Sequence, residues 1–415
     1  MNQDTALKVM KSGANVFLTG KAGSGKSHTI RQFLEYHRQK ETNVAITASS
    51  GIAATVVGGS TIHSYIGMGI KSRISNADLM DIRKRRGMTA KLKALEVLII
   101  DEISMLHKDQ LSSVDFILRS LRRDPRPFGG VQIIVVGDFN QLPPVGPEDI
   151  NARLCFMSSA WVSAEFKICY LTTTYRQENG ELLEILNAIR EGTITQEHKN
   201  KIINTVDNDL DDLPSQLYTH NASVDYINER ELNLIEGKAR IYKAITSGSE
   251  ANVKFLCENV LSPPVLTLKV GAKVLFTKND PQGNFVNGTL GIVTRLDGGL
   301  RVRLSSGLSI DVGRMLWEKV DDQGNVVASY HQVPLKLAWA LTVNKSQGLT
   351  LESAEIDLSK AFEPGQGYVA LSRVSSLEKL RVIGINDLAF TLYPITRKAD
   401  KRFRELSEEV EKEYG

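Results

Sequence analysis

The residues best suited to chemistry lie in the octapeptide GKAGSGKS at positions 20–27. It follows a short apolar run at 15–19, and its last two residues begin the stretch 26–40, where apolar side chains recur at helical spacing. A glycine-rich turn between a strand and a helix lets backbone N–H groups converge on phosphate oxygens. The pattern G-x-x-x-x-G-K-[ST] adds a lysine for the β- and γ-phosphates and a hydroxyl for Mg²⁺. The alternative is a glycine turn that merely opens a helix. The predicted nucleotide-binding residues are Gly20, Lys21, Ala22, Gly23, Ser24, Gly25, Lys26 and Ser27.

A second acidic position is needed to hold the metal ion and to polarise water. Asp101 and Glu102 end the apolar run 96–100, where the carboxyl edge of a parallel sheet would place them. We therefore predict Asp101, together with Ser27, as metal ligands and Glu102 as the general base. The alternative is an acidic pair that only caps a strand.

The apolar run 131–137 leads into GDFNQLPP (137–144), which places Gln141 after a buried strand in a loop with two prolines. An amide there is suited to sense a γ-phosphate, although a plain β-turn would look similar. Arg176 and Arg373 could complete the chemistry as arginine fingers, which contribute about 10³ to 10⁵ in rate. Either arginine could equally be a surface side chain or half of a structural ion pair.

Apolar strands alternate with helical stretches over two regions, which indicates two α/β units with parallel sheets. Residues 265–330 change to short β-type runs separated by Gly, Asn and Asp, which indicates a small all-β insertion. Residues 71–95 carry eight basic and two acidic side chains and are interpreted as a basic insertion or, alternatively, a solvated loop. The last twenty residues are charged and predict a solvated terminal helix.

Composition bounds the class of protein. With 415 residues, 42% hydrophobic, 24% charged, 32 Gly and 12 Pro, collagen-like and wholly disordered chains are excluded. Apolar runs are too short to span a bilayer, and no export signal is recognised, so we expect a cytoplasmic protein, associated with the nucleoid if bacterial. Three cysteines without CxxC spacing argue against disulfides or zinc. The net charge of +3 alone says little about partners.

Read in order, the motifs resemble those of superfamily 1 helicases, and among them the PIF (petite integration frequency) family, relatives of the RecD-like 5′→3′ DNA helicases. The motifs are the phosphate loop, DEIS (101–104), GDFNQLPP (137–144), TYRQ (174–177), TVNKSQGLT (342–350) and GYVALSRV (367–374). The segment KDQLSSVDFILRSLRRDPRPFGG (108–130) is similar to the family's signature segment. The resemblance covers about residues 1–390.

The resemblance implies two RecA-like domains that hold ATP and Mg²⁺ between them, and movement along single-stranded DNA driven by ATP hydrolysis. It implies catalytic roles for Lys26, Asp101, Glu102 and Gln141, fingers at Arg176 and Arg373, and an adenine-reading Gln3. The predicted domains are 1–178 with a wedge or pin at about 64–95, 179–260 joined to 331–395, a Src-homology-3-like β-barrel at 261–330, and a helix at 396–415. The family setting is DNA repair, recombination and telomere maintenance.

On the DNA side the resemblance points to small polar residues suited to gripping phosphates and sugars without reading bases. Capping of loops and turns is the alternative for each residue taken singly. His63, Tyr65 and Phe139 are the aromatic side chains considered for base stacking. Asn344 stands where a His is commoner in the family, and Glu352 where an Asp is commoner. The predicted DNA-binding residues are Ser49, Ser50, Gly51, Thr61, His63, Thr219, His220, Asn221, Thr342, Asn344, Lys345, Ser346 and Gln347.

The resulting prediction is an ATP-dependent 5′→3′ DNA helicase that acts as a monomer on single-stranded DNA and on tailed or forked duplexes, with no membrane partner. The family resemblance leaves G-quadruplexes and RNA–DNA hybrids open as further substrates. The alternative is a DNA-stimulated ATPase that binds or remodels nucleic acid without separating strands. A small-molecule kinase is disfavoured because it would not need the second α/β unit.

Overall fold

The computed structural model describes residues 1–69, 71–146, 148–172, 180–210, 214–285, 289–304, 306–320, 326–348 and 351–415. The chain folds into two units, which comprise residues 1–183 with 392–415, and residues 184–391. Helices and strands are numbered along the chain. Within the described ranges no helix is both long enough and apolar enough to cross a membrane.

The first unit is built on a parallel sheet. Its strands are β1 (Val16–Gly20), β2 (Val44–Ala48), β3 (Ser60–Thr61), β4 (Val97–Asp101), β5 (Gln132–Val136) and β6 (Lys167–Leu171). Its helices are α1 (Gln3–Lys11), α2 (Lys26–Gln39), α3 (Gly51–Val56), α4 (Ile62–Tyr65), α5 (Asn76–Lys84), α6 (Met88–Ala94), α7 (Lys108–Arg122), α8 (Ile150–Arg153) and α9 (Ser159–Ser163), with 3₁₀ helices at Ile103–Met105, Pro127–Gly130 and Cys155–Met157. The strand order is β3-β2-β4-β5-β1-β6, and each neighbouring pair is parallel. The six carboxyl ends therefore meet at one edge, the first carboxyl edge.

Both faces of this sheet are buried, which explains why its strands read as continuous apolar runs. Successive side chains of a strand point to opposite faces. Phe17 packs in the core that contains Leu111 and Val114 of α7, whereas Val16 and Leu18 pack in the core that contains α1 and α2. The prediction of an α/β unit with a parallel sheet covered on both faces is confirmed.

The basic segment 71–95 is helical rather than a solvated loop. It forms α5 and α6, whose side chains Leu79, Ile82, Met88 and Leu92 are buried in the core that contains Phe17. The side chains of residues 83–86 are exposed, and Arg83 and Arg85 also donate hydrogen bonds to the carbonyl oxygens of Ser120 (3.4 Å) and Gly67 (2.9 Å). The segment is thus a folded part of the first unit with a basic outer surface.

The second unit combines parallel and antiparallel sheets. Its helices are α10 (Glu181–Glu191), which begins just before the boundary, α11 (Gln196–Ile203), α12 (Asn221–Leu234), α13 (Glu250–Asn259), α14 (Val343–Ser346) and α15 (Gln366–Leu371), with 3₁₀ helices at Asn204–Asp207, Leu377–Lys379 and Asp387–Phe390. Its strands are β7 (Ser215–Tyr218), β8 (Arg240–Lys243), β9 (Ile245–Gly248), β10 (Val265–Leu268), β11 (Lys273–Phe276), β12 (Leu290–Arg295), β13 (Arg301–Leu304), β14 (Ser309–Asp311), β15 (Met315–Val320), β16 (Val326–Gln332), β17 (Leu335–Leu337), β18 (Ala340–Thr342), β19 (Ala354–Leu358) and β20 (Leu380–Ile385).

A four-stranded parallel sheet of order β18-β7-β19-β20 confirms the second α/β unit. We call the edge where its strands end the second carboxyl edge. The predicted β-type runs of 265–330 are strands β10 to β14, and their pairing is antiparallel. The antiparallel region is longer than predicted, because it begins with β8 and continues through β17. Its likeness to a Src-homology-3 barrel stays a prediction.

The predicted terminal helix is confirmed, but the expectation that it is solvated is wrong. After the second unit the chain returns to the first as α16 (Pro394–Tyr414), which packs against β6. Phe403 is buried in the core with Phe17 and Trp161, with ring centroids 5.1 Å and 6.3 Å away. Beside it, Ile395, Ala399 and Leu406 pack on the same core. These apolar residues recur at helical spacing within an otherwise charged sequence, and the charge content masked that pattern.

Candidate ATPase site and nucleic-acid surfaces

The loop GKAGSGKS joins β1 to α2 in the predicted strand–loop–helix context. Gly20, Gly23 and Gly25 have φ of +142°, +78° and +87°, values that residues with a Cβ rarely adopt. A Cβ on Gly20 would lie 2.7 Å from the Leu171 carbonyl oxygen and 2.8 Å from Ser24 Oγ. Only glycine therefore allows the close turn that brings backbone N–H groups toward an anion.

Lys26 folds back over this loop. Its Nζ donates hydrogen bonds to the carbonyl oxygens of Gly20 (2.8 Å) and Lys21 (3.0 Å). Gln3, at the start of α1, donates from Nε2 to the Ser24 carbonyl oxygen at 3.4 Å. The structure thus places the predicted adenine-reading residue against the phosphate loop, although its role with adenine stays a prediction. Ser27 is exposed on the first turn of α2.

Asp101 is the last residue of β4, and its Oδ1 accepts a hydrogen bond from the Glu102 backbone N–H at 2.8 Å. Burial, followed by the neighbouring Glu102 carboxylate, raises the pKa of Asp101, and the charge of Lys26 opposes the rise. Lys26 and Asp101 are therefore close enough to interact electrostatically. Glu102 has φ +50° and ψ 45°, the left-handed region that disfavours side chains with a Cβ.

Buried polar atoms without partners mark the first carboxyl edge. Gln141 is 7% exposed and Asn140 is 1% exposed in the loop after β5. A buried polar group left unpaired costs about 1–3 kcal/mol, so several at one edge indicate a site made for a polar ligand or ordered water. Sequence analysis missed Asn140 and Ser104, although both lie inside motifs that it singled out. Atoms with no hydrogen-bond partner among the described residues are Ser24 Oγ, Ser104 Oγ, Asn140 Oδ1 and Nδ2, and Gln141 Oε1.

The residues present fit ATP with Mg²⁺. Mg²⁺ is typically held by one or two protein oxygen ligands, with phosphate and water completing an octahedron. The Ser27 hydroxyl and the Asp101 carboxylate are ligands of this kind, and the Gln141 side chain could donate a hydrogen bond from Nε2 to a terminal phosphate. No group of three or more His, Cys, Asp or Glu that could hold a metal alone is found in the described part of the chain.

The two predicted arginine fingers have different outcomes. Arg176 lies outside the described residues. Arg373 is 1% exposed, and its guanidinium donates to the carbonyl oxygens of Val369 (2.8 Å) and Ser346 (3.3 Å) and to Ser372 Oγ (2.7 Å). These contacts lie within the second unit. A finger role would require Arg373 to exchange some of them for phosphate oxygens, and it stays a prediction.

In the first unit the predicted DNA-binding residues lie at or just after the ends of β2 and β3, and β2 is the neighbour of β4, where the acidic pair begins. Ser49 donates from its backbone N–H to the Asp101 carbonyl oxygen (3.1 Å) and from Oγ to the Glu102 carbonyl oxygen (2.7 Å). Ser50 Oγ accepts from the Ala53 N–H at 3.2 Å, next to Gly51 at the start of α3. The loop after β2 is thus bonded directly to the residues of the metal and water site.

Thr61 caps α4 by accepting from the Ser64 N–H at 3.3 Å. Burial lowers the pKa of His63, and a hydrogen bond with Gln110 opposes this effect. Both residues lie near the carboxyl end of β3. Local capping, the alternative interpretation, therefore accounts for the Thr61 hydroxyl in this structure.

In the second unit the predicted residues follow β7 and β18, which are neighbours. Thr219 Oγ1 lies 2.8 Å from His220 Nδ1, and His220 is exposed. Asn221 begins α12. Thr342 is 3% exposed and caps α14 by accepting from the Lys345 N–H at 3.3 Å.

The short helix α14 presents one exposed cation. Lys345 is exposed and Asn344 is half-buried, whereas Ser346 and Gln347 are buried. Lys336 on β17, which sequence analysis missed, has a pKa lowered to about 8 by burial and then by the charge of Lys345. The two ammonium groups therefore lie near one another, and an anion beside them would be attracted to both. No motif marked Lys336, because the proximity depends on the tertiary fold.

Among the aromatic side chains considered for stacking, Phe139 is excluded. It is 5% exposed and packs against Phe17 and Trp161, with centroids 5.4 Å and 5.7 Å away. Tyr65 is partly buried, and Lys91 Nζ lies 3.9 Å from its ring centroid. One side of that ring is thus already covered by a cation.

Comparisons with known proteins agree with this geometry. A family model described as PIF1-like helicase matches residues 2–200. The chain is 43% identical to the ATP-dependent DNA helicase Pif1 of a Psychrobacter species, over all of this chain and 72% of that protein. It is 37% identical to the protein of the same name from Bdellovibrio bacteriovorus, over 97% of this chain and 92% of that one.

Solved structures give the same result. The chain resembles Pif1 helicase from Candida albicans with TM-score 0.82 and 34% identity, over 96% of this chain and 98% of that chain. It resembles Bacteroides Pif1 in complex with ADP-AlF4 with TM-score 0.83 and 32% identity, over 97% and 96% of the two chains. For Bacteroides Pif1 bound to ssDNA the TM-score is 0.71, at 31% identity, over 96% and 95%. The parallel sheets, the phosphate loop and these relatives together show that the chain belongs to the PIF1-like helicase family.

Proposed function

We propose that this protein is an ATP-dependent DNA helicase that moves 5′→3′ along single-stranded DNA and separates duplex or structured DNA. The observation that carries the proposal is the arrangement along the first carboxyl edge. The acidic pair begins at the last residue of β4, the Gln141 loop follows β5 and the phosphate loop begins at the end of β1, and these three strands are neighbours. A chain of this family with that arrangement is equipped to hydrolyse ATP.

In the proposed reaction the glycine-rich loop and Lys26 bind the phosphates. Ser27 and Asp101 would hold Mg²⁺, which neutralises phosphate charge when bound. Glu102 orients the attacking water and accepts its proton, and Gln141 contacts the terminal phosphate. Arg176 and Arg373 are proposed to supply positive charge to the transferred phosphate.

The DNA side of the proposal uses both carboxyl edges. Loops after β2 and β3 in the first unit, and after β7 and β18 in the second, carry the predicted phosphate and sugar contacts. We add Lys336, because the charge of Lys345 acts on it and a DNA phosphate beside the two ammonium groups would attract both. The barrel-like segment at 261–330 and the wedge at about 64–95 are proposed as DNA-guiding parts, with domain limits as predicted from the sequence.

We further propose that a monomer acts on tailed and forked duplexes, and that G-quadruplexes and RNA–DNA hybrids are substrates as well. A solved structure of a relative concerns DNA unwinding at forked dsDNA by two coordinating Pif1 helicases. Sedimentation of the protein on forked DNA, compared with single-stranded DNA, would count the copies bound to each.

The deciding experiment supplies ATP, Mg²⁺ and partial duplexes that carry either a 5′ or a 3′ single-stranded tail. We expect strand release from the 5′-tailed duplex alone. Release only from the 3′-tailed duplex would refute the direction, and DNA-stimulated hydrolysis without release from either would favour the remodelling ATPase.

Two variants test the assignment of the site. Lys26→Ala should abolish hydrolysis because it removes the cation on the β- and γ-phosphates. Glu102→Gln should retain ATP and DNA binding but lose turnover because the amide cannot accept the proton. Full ATPase activity in either variant would show that the site is misassigned.

A further inference from the structure

Phe362 is an exposed aromatic residue at the second carboxyl edge. It follows the end of β19, whose neighbour β7 ends at the predicted DNA contacts Thr219 and His220. Its side chain is 57% exposed, and its ring centroid lies 5.0 Å from that of His220, with 50° between the ring planes. The rings of Phe362 and His220 therefore form an aromatic pair between loops that follow two neighbouring strands.

The backbone that carries Phe362 is held from several sides. Its N–H donates to Gln366 Oε1 at 3.0 Å, and Gln366 is fully buried. The Lys360 carbonyl oxygen accepts from Thr219 Oγ1 at 3.2 Å. The Asn386 side chain donates to the Ala361 carbonyl oxygen at 2.8 Å. The loop is thus fixed while the ring projects to solvent, an arrangement that lowers the entropy lost on binding.

A single exposed apolar side chain is ordinary in a soluble protein, so exposure alone decides nothing. The residues around Phe362 are what indicate a binding role. His220 and Thr219 lie in the neighbouring loop, and Lys360, two residues before Phe362, is exposed. An exposed ring beside a second ring and a cation is the combination by which proteins bind single strands, with rings stacking on bases and cations contacting phosphates.

We propose that Phe362, supported by His220, is a stacking site for one unpaired nucleobase, and that Lys360 contacts a phosphate of the same strand. The inference rests on the proposed function in one respect, that single-stranded DNA lies along the second carboxyl edge. It adds a base contact to a surface otherwise predicted to hold only phosphates and sugars. Stacking accepts every base, so this contact would not make the protein sequence-specific.

The test compares binding of a labelled oligodeoxythymidine with binding of a strand of equal length made wholly of abasic sites. Phe362→Ala should weaken binding of oligodeoxythymidine by about 5- to 150-fold, the range measured for loss of one base–aromatic stack. It should bind the abasic strand as the unaltered protein does. Phe362→Trp should restore binding, and bases but not the abasic strand should quench the fluorescence of the new indole.

Leu234→Ala is the matched control. Leu234 is 69% exposed, at the far end of α12, about 20 Å along the helix from the carboxyl edge. This variant should bind both strands normally. Melting curves should show that all variants are folded, because Phe362 is mostly exposed.

Two outcomes would overturn the inference while leaving the helicase proposal standing. One is unchanged binding of oligodeoxythymidine by Phe362→Ala. The other is equal weakening on both strands, which would mean that the ring acts without a base. Failure of the unaltered protein to bind either strand would instead refute the proposed function, and the stacking site with it.

Discussion

Replacing Ser49 by alanine should lower the rate of ATP hydrolysis without weakening ATP binding. The hydroxyl donates a 2.7 Å hydrogen bond to the carbonyl oxygen of Glu102, the proposed general base. Glu102 has φ +50°, a conformation that costs a residue with a Cβ about 1–2 kcal/mol. The bond from Ser49 therefore helps to hold the backbone that aims the Glu102 carboxylate.

The size of the effect follows from the bond that is lost. An intramolecular hydrogen bond contributes about 0.5–1.5 kcal/mol net, similar to the strain at Glu102. If all of it appears in the activation free energy, kcat falls about 2- to 13-fold at 1.36 kcal/mol per tenfold. KM for ATP should change less than about 2-fold, because the hydrogen bonds that Ser49 donates go to the carbonyl oxygens of Asp101 and Glu102.

The assay is steady-state ATP hydrolysis at saturating single-stranded DNA and, separately, without DNA, so that a loss of DNA affinity cannot mimic the effect. Ser49→Thr keeps the hydroxyl and should retain most of the activity. Ser50→Ala is the matched neighbour, because its hydroxyl bonds the Ala53 N–H instead of Glu102. Normal kcat for Ser49→Ala, or equal losses in the alanine and threonine variants, would refute the reasoning.

Three further predictions concern charge, pH and packing. Replacing the exposed residues Lys84 and Arg86 together by alanine should weaken binding of single-stranded DNA. The slope of log affinity against log salt concentration should become smaller by about 1.4, at about 0.7 per phosphate contact. An unchanged slope would show that these two side chains do not contact DNA phosphates. Burial lowers the pKa of Lys273 to about 7, so between pH 7 and 9 the unfolded chain binds more protons than the folded protein, and the free energy of unfolding rises with pH. Lys273→Met should flatten that rise when the free energy of unfolding is measured by denaturant titration at each pH. The same pH dependence in the variant and the unaltered protein would contradict this prediction. Phe403→Ala should lower the free energy of unfolding of the first unit by about 3–5 kcal/mol, whereas exposed Arg402→Ala should change it by less than about 0.5 kcal/mol.

The features that could be predicted from the sequence are those set by local order along the chain. The phosphate loop had to lie between a strand and a helix, and Asp101 had to lie at a strand end, because apolar runs and turn residues mark such places. The Ser49–Glu102 bond and the meeting of Phe362 with His220 could not be predicted. Each joins residues far apart in sequence, and strand order alone determines that they are neighbours.

The buried face of α16 escaped prediction for a different reason. Its apolar residues recur at helical spacing, but acidic and basic side chains fill the positions between them and dominate the composition. Lys336 shows the converse difficulty. A lysine in a short β-type run carries no signal of its own, and only the fold brings its charge near Lys345.

Because the chain returns to the first unit through α16, the first unit is completed only after the whole second unit has been synthesised. A ribosome releases residues 1–183 long before Phe403 exists, so Phe17 and Trp161 lack a core neighbour until nearly the whole chain has been made. The nascent first unit would therefore expose an aromatic surface while the second unit is translated. Stopping synthesis just before α16 should yield a chain with every proposed catalytic residue and an incompletely packed ATPase unit, prone to aggregation or chaperone capture.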